Sequence, residues 1–355
     1  MATKTDASAT EWAIDDEVFR LRQWGTDIIH LLPRPPITEL EVGSAEECAL
    51  CLVDESNRVS RRHARIQRES AGWVVHDLGS KNGIRLDGAR QPMLLLQPGI
   101  ELGIGGLTLL AESRRSAELR GFLARLLGWG TDQLVTVDLA LRALRLAVAN
   151  RSPLALCGDG DLVPIARAIH RHTLGDDRPF ILCDPRRRAP DATVRTAENI
   201  QPAFDALVAA QGGSLCVWSK RLPRDFAQVR GELRTQSVRV QLIVCMQDQG
   251  DGLAFETTRI SIPSLETRRR ELPRIIDEYI AEALTSLSVD IQFTAADRAW
   301  IASDSASSLP EIEKGTRRIV AVRHTGGNIT AAAELLGMSA VALRAWIGRR
   351  ELPGS

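Results

Sequence analysis

The sequence predicts a multidomain chain: an N-terminal all-β sandwich, a central α/β domain and a C-terminal all-α segment ending in a helix-turn-helix. Three textures carry that prediction. Residues 18–112 are short alternating runs broken by Gly, Asp-Gly and Pro-Gly turns. Residues 113–290 alternate apolar β-runs with helix-patterned stretches. Residues 291–355 show helical periodicity alone, and residues 1–17 are expected to be a disordered tail.

Each element follows from its own residues. In the first segment ITELEVG, WVVHDLG, GIRLDG, MLLLQPG and IELGIGGLTLL are closely spaced strands punctuated by turns. ESRRSAELRGFLARLLG, near 112–128, predicts a helical connector. Beyond it, the runs PLALC, FILC, SLCVW and RVQLIVC suit strands buried on both faces. LVPIARAIHRHTL and IQPAFDALVAAQ supply helices between them, which gives a βαβ rhythm around a parallel sheet. At the C-terminal end, Thr330–Gly337 and Ser339–Arg350 predict two helices joined by a tight turn, with Gly337 as C-cap and Ser339 as N-cap.

Composition sets bounds. At 355 residues and 44% hydrophobic, the chain can bury real cores. Its 45 basic and 45 acidic residues cancel, which excludes a polycation that coats nucleic acid by bulk charge and leaves room for a local basic patch. No apolar run approaches the roughly 20 residues that span a bilayer, and the N-terminus lacks a secretory pattern. Cys157, Cys183, Cys216 and Cys245 sit in apolar strand runs, and the Cys48–Cys51 pair has no second pair or His at zinc spacing. All six are expected to be reduced core thiols in a cytoplasmic protein, with no metal and no cofactor.

The densest local signal lies in the first segment. Residues 58–68 hold five arginines and no acid, and a second loop adds Ser80, Lys81 and Asn82 before Gly83. By themselves the arginines read as a solvated loop. Together with the hydroxyl and amide donors they suit a phosphate dianion. The ordered set Gly43, Ser60-Arg61-Arg62-His63 and Asn82-Gly83 resembles the forkhead-associated (FHA) domain, which binds phosphothreonine peptides. The resemblance implies that Ser60 and Arg61 hold the phosphate and Asn82 the peptide backbone, while Gly43, His63 and Gly83 brace the loops. It also shows a departure: the family's arginine after the first glycine is Ser44 here, leaving Lys81 and Arg58 to replace the charge.

In the central segment, Pro153–His170 predicts strand, glycine turn and helix, a layout that can cradle phosphate on backbone N–H groups. The lysine and the Ser/Thr of a working phosphate loop are missing, and Asp159 and Asp161 oppose a triphosphate. The order of Ala166–His170, Gly212–Val217, Leu222-Pro223, Val238–Val240 and Ile262–Pro273 is similar to the AAA+ domain of bacterial enhancer-binding proteins, activators of the alternative nitrogen sigma factor. By that resemblance the Walker A lysine position holds Leu162 or a gap. The Walker B acids become Trp218-Ser219, the sigma-contacting loop between Phe180 and Trp218 and the arginine-finger region between Cys245 and Ile260 are deleted, and Pro310 stands at the sensor arginine. Phosphoryl transfer is positioning and charge stabilisation, so the expectation is a pseudo-ATPase and no enzyme.

GGNITAAAELLGMSAVALRAWIGRREL resembles the Fis-type helix-turn-helix that ends enhancer-binding proteins. That resemblance implies that Ser339, Arg344, Arg349 and Arg350 lie at the DNA, with Arg344 the guanine reader. Trp346 is expected in the core. Residues 311–355 carry seven basic and four acidic residues, a modest patch for tracking phosphates. The expected function is a DNA-binding transcriptional regulator with a phosphothreonine-sensing module and a dead AAA+ scaffold. Its partners would be a phosphothreonine-containing protein, DNA, and a second copy or a related activator, with no membrane. The alternative is a phosphopeptide-binding adaptor that pairs with an active paralogous activator without reading DNA.

Overall fold

The computed structural model describes residues 17–187, 197–235, 238–247 and 257–350. The expected disordered tail, apart from Glu17, lies outside the described residues, as do most of the expected arginine-finger deletion and Glu351.

The N-terminal unit is a sandwich of two sheets. One has the order β2-β1-β11-β10-β7-β8, made of β1 (Val18–Gln23), β2 (Ile29–Leu31), β7 (Ile84–Leu86), β8 (Ala89–Gln91), β10 (Glu101–Ile104) and β11 (Leu107–Ser113). The other has the order β4-β3-β5-β6-β9, made of β3 (Glu39–Gly43), β4 (Leu50–Cys51), β5 (Ala64–Glu69), β6 (Gly72–Asp77) and β9 (Met93–Leu95). Alternate residues point inward, so Leu21, Val42, Ile66, Trp73, Val75, Ile84, Leu102 and Leu109 fill the space between the sheets. The tight interior holds the loops at the strand ends in fixed register.

Two helices follow, α1 (Arg114–Leu127) and α2 (Leu134–Ala149). The sequence divides the chain at 112 and 290. By packing, the chain forms two compact units, and most of α1 and the first three turns of α2 belong with the sandwich. A buried ion network is the physical reason: Arg22 bonds Glu112 at 2.8 Å and Asp138 at 2.6 Å, and Arg120 reaches Asp138 at 3.0 Å. Arg22, Glu112 and Asp138 are all fully buried, so removing one partner would strand the others in low dielectric.

The second unit carries a fully parallel sheet of order β14-β13-β15-β16-β12-β17. Its strands are β12 (Leu154–Cys157), β13 (Phe180–Cys183), β14 (Glu198–Asn199), β15 (Ser214–Trp218), β16 (Gln241–Met246) and β17 (Thr258–Ser261). α3 (Val163–Thr173), α4 (Ala203–Ala209) and α5 (Phe226–Glu232) connect them. The apolar runs seen in the sequence are the four longest-buried of these strands, which is what covering a parallel sheet on both faces demands. Cys157, Cys183, Cys216 and Cys245 are buried thiols here, as expected. Cys48 is buried too, but Cys51 is exposed on β4 at the sheet edge, a correction to its expected core role.

The last part of the same unit is helical: α6 (Leu272–Leu287), α7 (Ala295–Asp304), α8 (Leu309–His324), α9 (Ile329–Leu336) and α10 (Ala340–Ile347). Side chains start these helices where the sequence places polar caps. Thr294 and Asp297 form a reciprocal capping box, Asn328 accepts from Thr330 and Ala331, and Ser339 accepts from Ala342. Among the described residues no single helix is long and apolar enough to cross a membrane, and no cluster of His, Cys, Asp and Glu could hold a metal ion.

Candidate recognition sites

Three loops gather at one end of the sandwich: residues 44–49, 52–63 and 78–83. Their approach needs a glycine at 43, because a Cβ there would lie 2.1 Å from the Arg61 carbonyl oxygen. Backbone bonds then clamp the first two loops, with the Ser44 N–H donating to the Ser60 carbonyl and the Ala45 N–H to that of Arg61, both at 3.1 Å. His63, fully buried, ties in the third. Its Nδ1 accepts from the Ser60 N–H at 3.0 Å, which leaves the proton on Nε2 to donate to the Gly83 carbonyl at 3.2 Å.

The donors stand on that frame. Ser60 Oγ accepts from the Lys81 N–H at 3.1 Å, so its own proton remains available to a ligand. Asn82 Nδ2 donates to the Arg58 carbonyl at 2.7 Å, which leaves the Asn82 side-chain oxygen available. Arg58, Arg61 and Lys81 are exposed and, among the described residues, have no carboxylate partner. Arg62 differs, since Glu41 holds its guanidinium through two bonds. Ser44, where a guanidinium is missing, is exposed and turns its hydroxyl to the Val59 carbonyl at 3.3 Å. The surface is therefore a hydroxyl and three unneutralised cations around a rigid loop junction, a set suited to a phosphate ester.

Two supporting residues escaped the sequence reading. Asp54 accepts from the N–H groups of Ser56, Arg58, Val59 and Gly106 and from the Ser56 hydroxyl. Those bonds, the Ser56 hydroxyl first, hold its carboxyl down at about 2. Arg90 donates from its side chain to the carbonyls of Lys81 and Asn82 and fixes the third loop. Asp54 was detectable in principle, because Asp-x-Ser-Asn is a turn signature. Arg90 was not, since its role depends on the pairing of β7 with β8.

In the second unit, the turn Gly158–Leu162 links β12 to the start of α3. Strand order places it where phosphates bind in open α/β sheets, at the carboxyl end of β12. Two of its N–H groups are engaged within the protein, that of Gly158 by the Met246 carbonyl at 3.1 Å. Asp161 Oδ1 accepts the Val163 N–H at 3.2 Å, and Pro164, in the first helical turn, has no N–H to offer. Arg187 pairs with the same Asp161 at 3.2 Å. The turn is also covered: a Cβ on Gly160 would meet Ser308 Oγ at 2.4 Å, with Pro310 close behind. At the end of β15, Trp218 is buried under the Arg221 guanidinium, 4.8 Å from the ring centre, and Arg221 pairs with the buried Asp184 at 2.9 Å.

At the C-terminal end, α9 and α10 meet at a bend of 112° across a short turn whose Gly337 adopts the left-handed conformation, φ 62°. Trp346 is buried, as expected. It packs edge-on against Trp300, with ring centres 5.7 Å apart, and lies between the guanidinium groups of Arg318 and Arg350, each 4.9 Å from its ring. Burial brings Arg318 down to about 10. The expected DNA residues thus separate. Arg344 and Arg349 are exposed on α10 and just beyond it, Arg350 is drawn onto Trp346, and the Ser339 hydroxyl caps α10. Of the other cations in the patch, Lys314 pairs with Glu311 and Arg323 with Asp297, each within 3 Å.

The family model "FHA domain" matches residues 40–105, and the model "Bacterial regulatory protein, Fis family" matches residues 319–345. The chain carries an FHA domain and a Fis-type helix-turn-helix. Both matches leave the parallel sheet outside them. No curated protein matches the chain. Among solved structures, an FHA domain studied for phosphothreonine-dependent interactions is 21% identical, with 26% of this chain and 93% of that chain covered and a TM-score of 0.24. The FHA domain of a Chlamydia trachomatis protein is 25% identical, over 27% of this chain and 97% of that one, with a TM-score of 0.24. EmbR of Mycobacterium tuberculosis, in complex with a low affinity phosphopeptide, is 22% identical over 27% of this chain and 24% of its own, with a TM-score of 0.24.

Proposed function

We propose that this chain is a cytoplasmic transcriptional regulator. Its FHA domain recognises a phosphothreonine-containing protein, its helix-turn-helix binds DNA, and its central unit is a degenerate AAA+ domain related to the nitrogen sigma-factor activators, kept as scaffold. The observation that carries this reading is the contrast in available groups. At one end the Ser60 hydroxyl proton and the unpaired cations Arg58, Arg61 and Lys81 face outward, while at the central turn Asp161 takes the Val163 N–H, Pro164 offers none, and Gly160 lies against Ser308. A phosphate can be recognised at the first and has neither cradle nor catalytic carboxylates at the second. The central sheet supports the AAA+ part by its all-parallel order and the glycine turn at the end of β12. Phosphopeptide binding would then shift self-association, or pairing with a related activator, and so DNA occupancy.

Genome-wide mapping of bound DNA tests the reading, with wild type compared against Ser60→Ala and Arg344→Ala, alongside phosphate release from ATP. The expected result is discrete occupied sites that both variants deplete, with no ATP turnover above buffer. Absence of any occupied site, with phosphopeptide binding intact, favours the adaptor that pairs with a paralogue. ATP turnover abolished by a Gly158 substitution overturns the scaffold assignment.

A further inference from the structure

The outward face of α10 carries almost no hydrogen-bonding chemistry. At roughly 100° per residue, Val341, Ala342, Arg344, Ala345 and Arg349 fall within about half the helix circumference. All five are exposed, Val341 at 73%, while Leu343 and Trp346 point inward. The first turn, the part of a recognition helix that meets base edges, presents only methyl groups. Its one polar neighbour, Ser339, accepts the Ala342 N–H and sits ahead of the helix at its N-cap, with its own hydroxyl proton left over. Arg344 is the single unengaged polar group in the middle of that face, since Arg349 folds back to donate to the Ala345 carbonyl at 3.0 Å.

Apolar side chains distinguish bases in the major groove through one feature, the C5-methyl of thymine. We infer that α10 selects DNA by thymine methyl groups packed against Val341, Ala342 and Ala345, with Arg344 adding one guanine contact. This rests on the DNA-binding reading above and names what that reading recognises. The flanking cations favour a nucleic acid over an apolar partner helix, because Arg344 and Arg349 border the methyl surface where phosphates and guanine edges would lie.

The test selects full-length protein on a random duplex library, then compares the enriched duplex with copies carrying deoxyuridine or 5-bromodeoxyuridine for thymidine. Deoxyuridine keeps every hydrogen-bonding edge and removes only the methyl. Each lost contact weakens binding about fourfold, so three weaken it roughly sixtyfold. The bromo copy, whose halogen fills the methyl volume, restores affinity. Val341→Ser narrows the gap between the thymidine and deoxyuridine duplexes, whereas Arg344→Ala weakens both alike. Equal affinity for the enriched duplex and its deoxyuridine copy overturns the methyl inference and leaves DNA binding standing. Failure to enrich or bind any duplex removes the DNA-binding reading itself.

Discussion

The loop junction of the FHA domain and the turn after β12 are both places where a chain could hold phosphate, and they have been finished in opposite ways. At the junction, carboxylates are used behind the surface. Asp54 and Asp77 bind the backbone and hydroxyl groups of their own loops, and the cations in front stay unneutralised. At the turn, the carboxylate faces forward: Asp161 takes the Val163 N–H at the start of the helix and pairs with Arg187. The same residue type supports a site in one position and occupies it in the other. A phosphate site is therefore recognised by which donors remain unsatisfied, more than by a loop's outline.

The largest expected effect lies at the junction. Ser60→Ala removes the one hydroxyl with a free proton, a charge-assisted bond worth about 2 kcal/mol, or roughly thirtyfold in Kd for a phosphothreonine peptide. Fluorescence anisotropy with full-length protein measures it, and a near-normal melting temperature separates it from unfolding. An unchanged Kd would mean that the cations bind anions generically, and the contrast between the two regions would shrink to net charge.

Much of this was legible in the sequence. Buried strands announce themselves as LALC, FILC and LIVC because a parallel sheet covered on both faces favours near-continuous apolar runs. The ordered Ser60, His63 and Asn82 marked the junction because local loop chemistry is written in adjacent residues. What stayed hidden depends on distant partners. Nothing in the one-dimensional pattern puts Ser308 against Gly160, ties Asp138 to Arg22 across 116 positions, or turns Arg350 from the groove onto Trp346. The net basic excess at the C-terminal end likewise overstated the free charge, since Lys314 and Arg323 are paired within the protein.

A smaller effect sharpens the contrast from the other side. Asp161→Ala releases the Val163 N–H and the Arg187 guanidinium, and costs about 1 kcal/mol of stability, as loss of one partly solvated hydrogen bond does. Chemical denaturation reads that loss. Nucleotide should still give no thermal stabilisation and no phosphate release, because Pro164 lacks an N–H and Gly160 remains against Ser308. If Asp161→Ala alone lets ATP stabilise the protein, the carboxylate was the whole obstacle, and the two regions differ by a single side chain.

The smallest effect concerns Asp54. Its carboxyl is held down at about 2 in the folded loop, below the value near 3.8 of an unconstrained aspartate. A depressed value means that the ordering it provides is complete above the unconstrained pKa and is lost as pH falls through the folded one. Amide exchange at Ser56, Arg58, Val59 and Gly106 should thus stay slow down to pH 4 and quicken together toward pH 2. The change is modest because the loop is solvated and screened. Asp54→Asn keeps an acceptor oxygen without the charge, and should show faster exchange at neutral pH with the acid-dependent step gone. A step that survives in Asp54→Asn belongs to another group and removes Asp54 as its source.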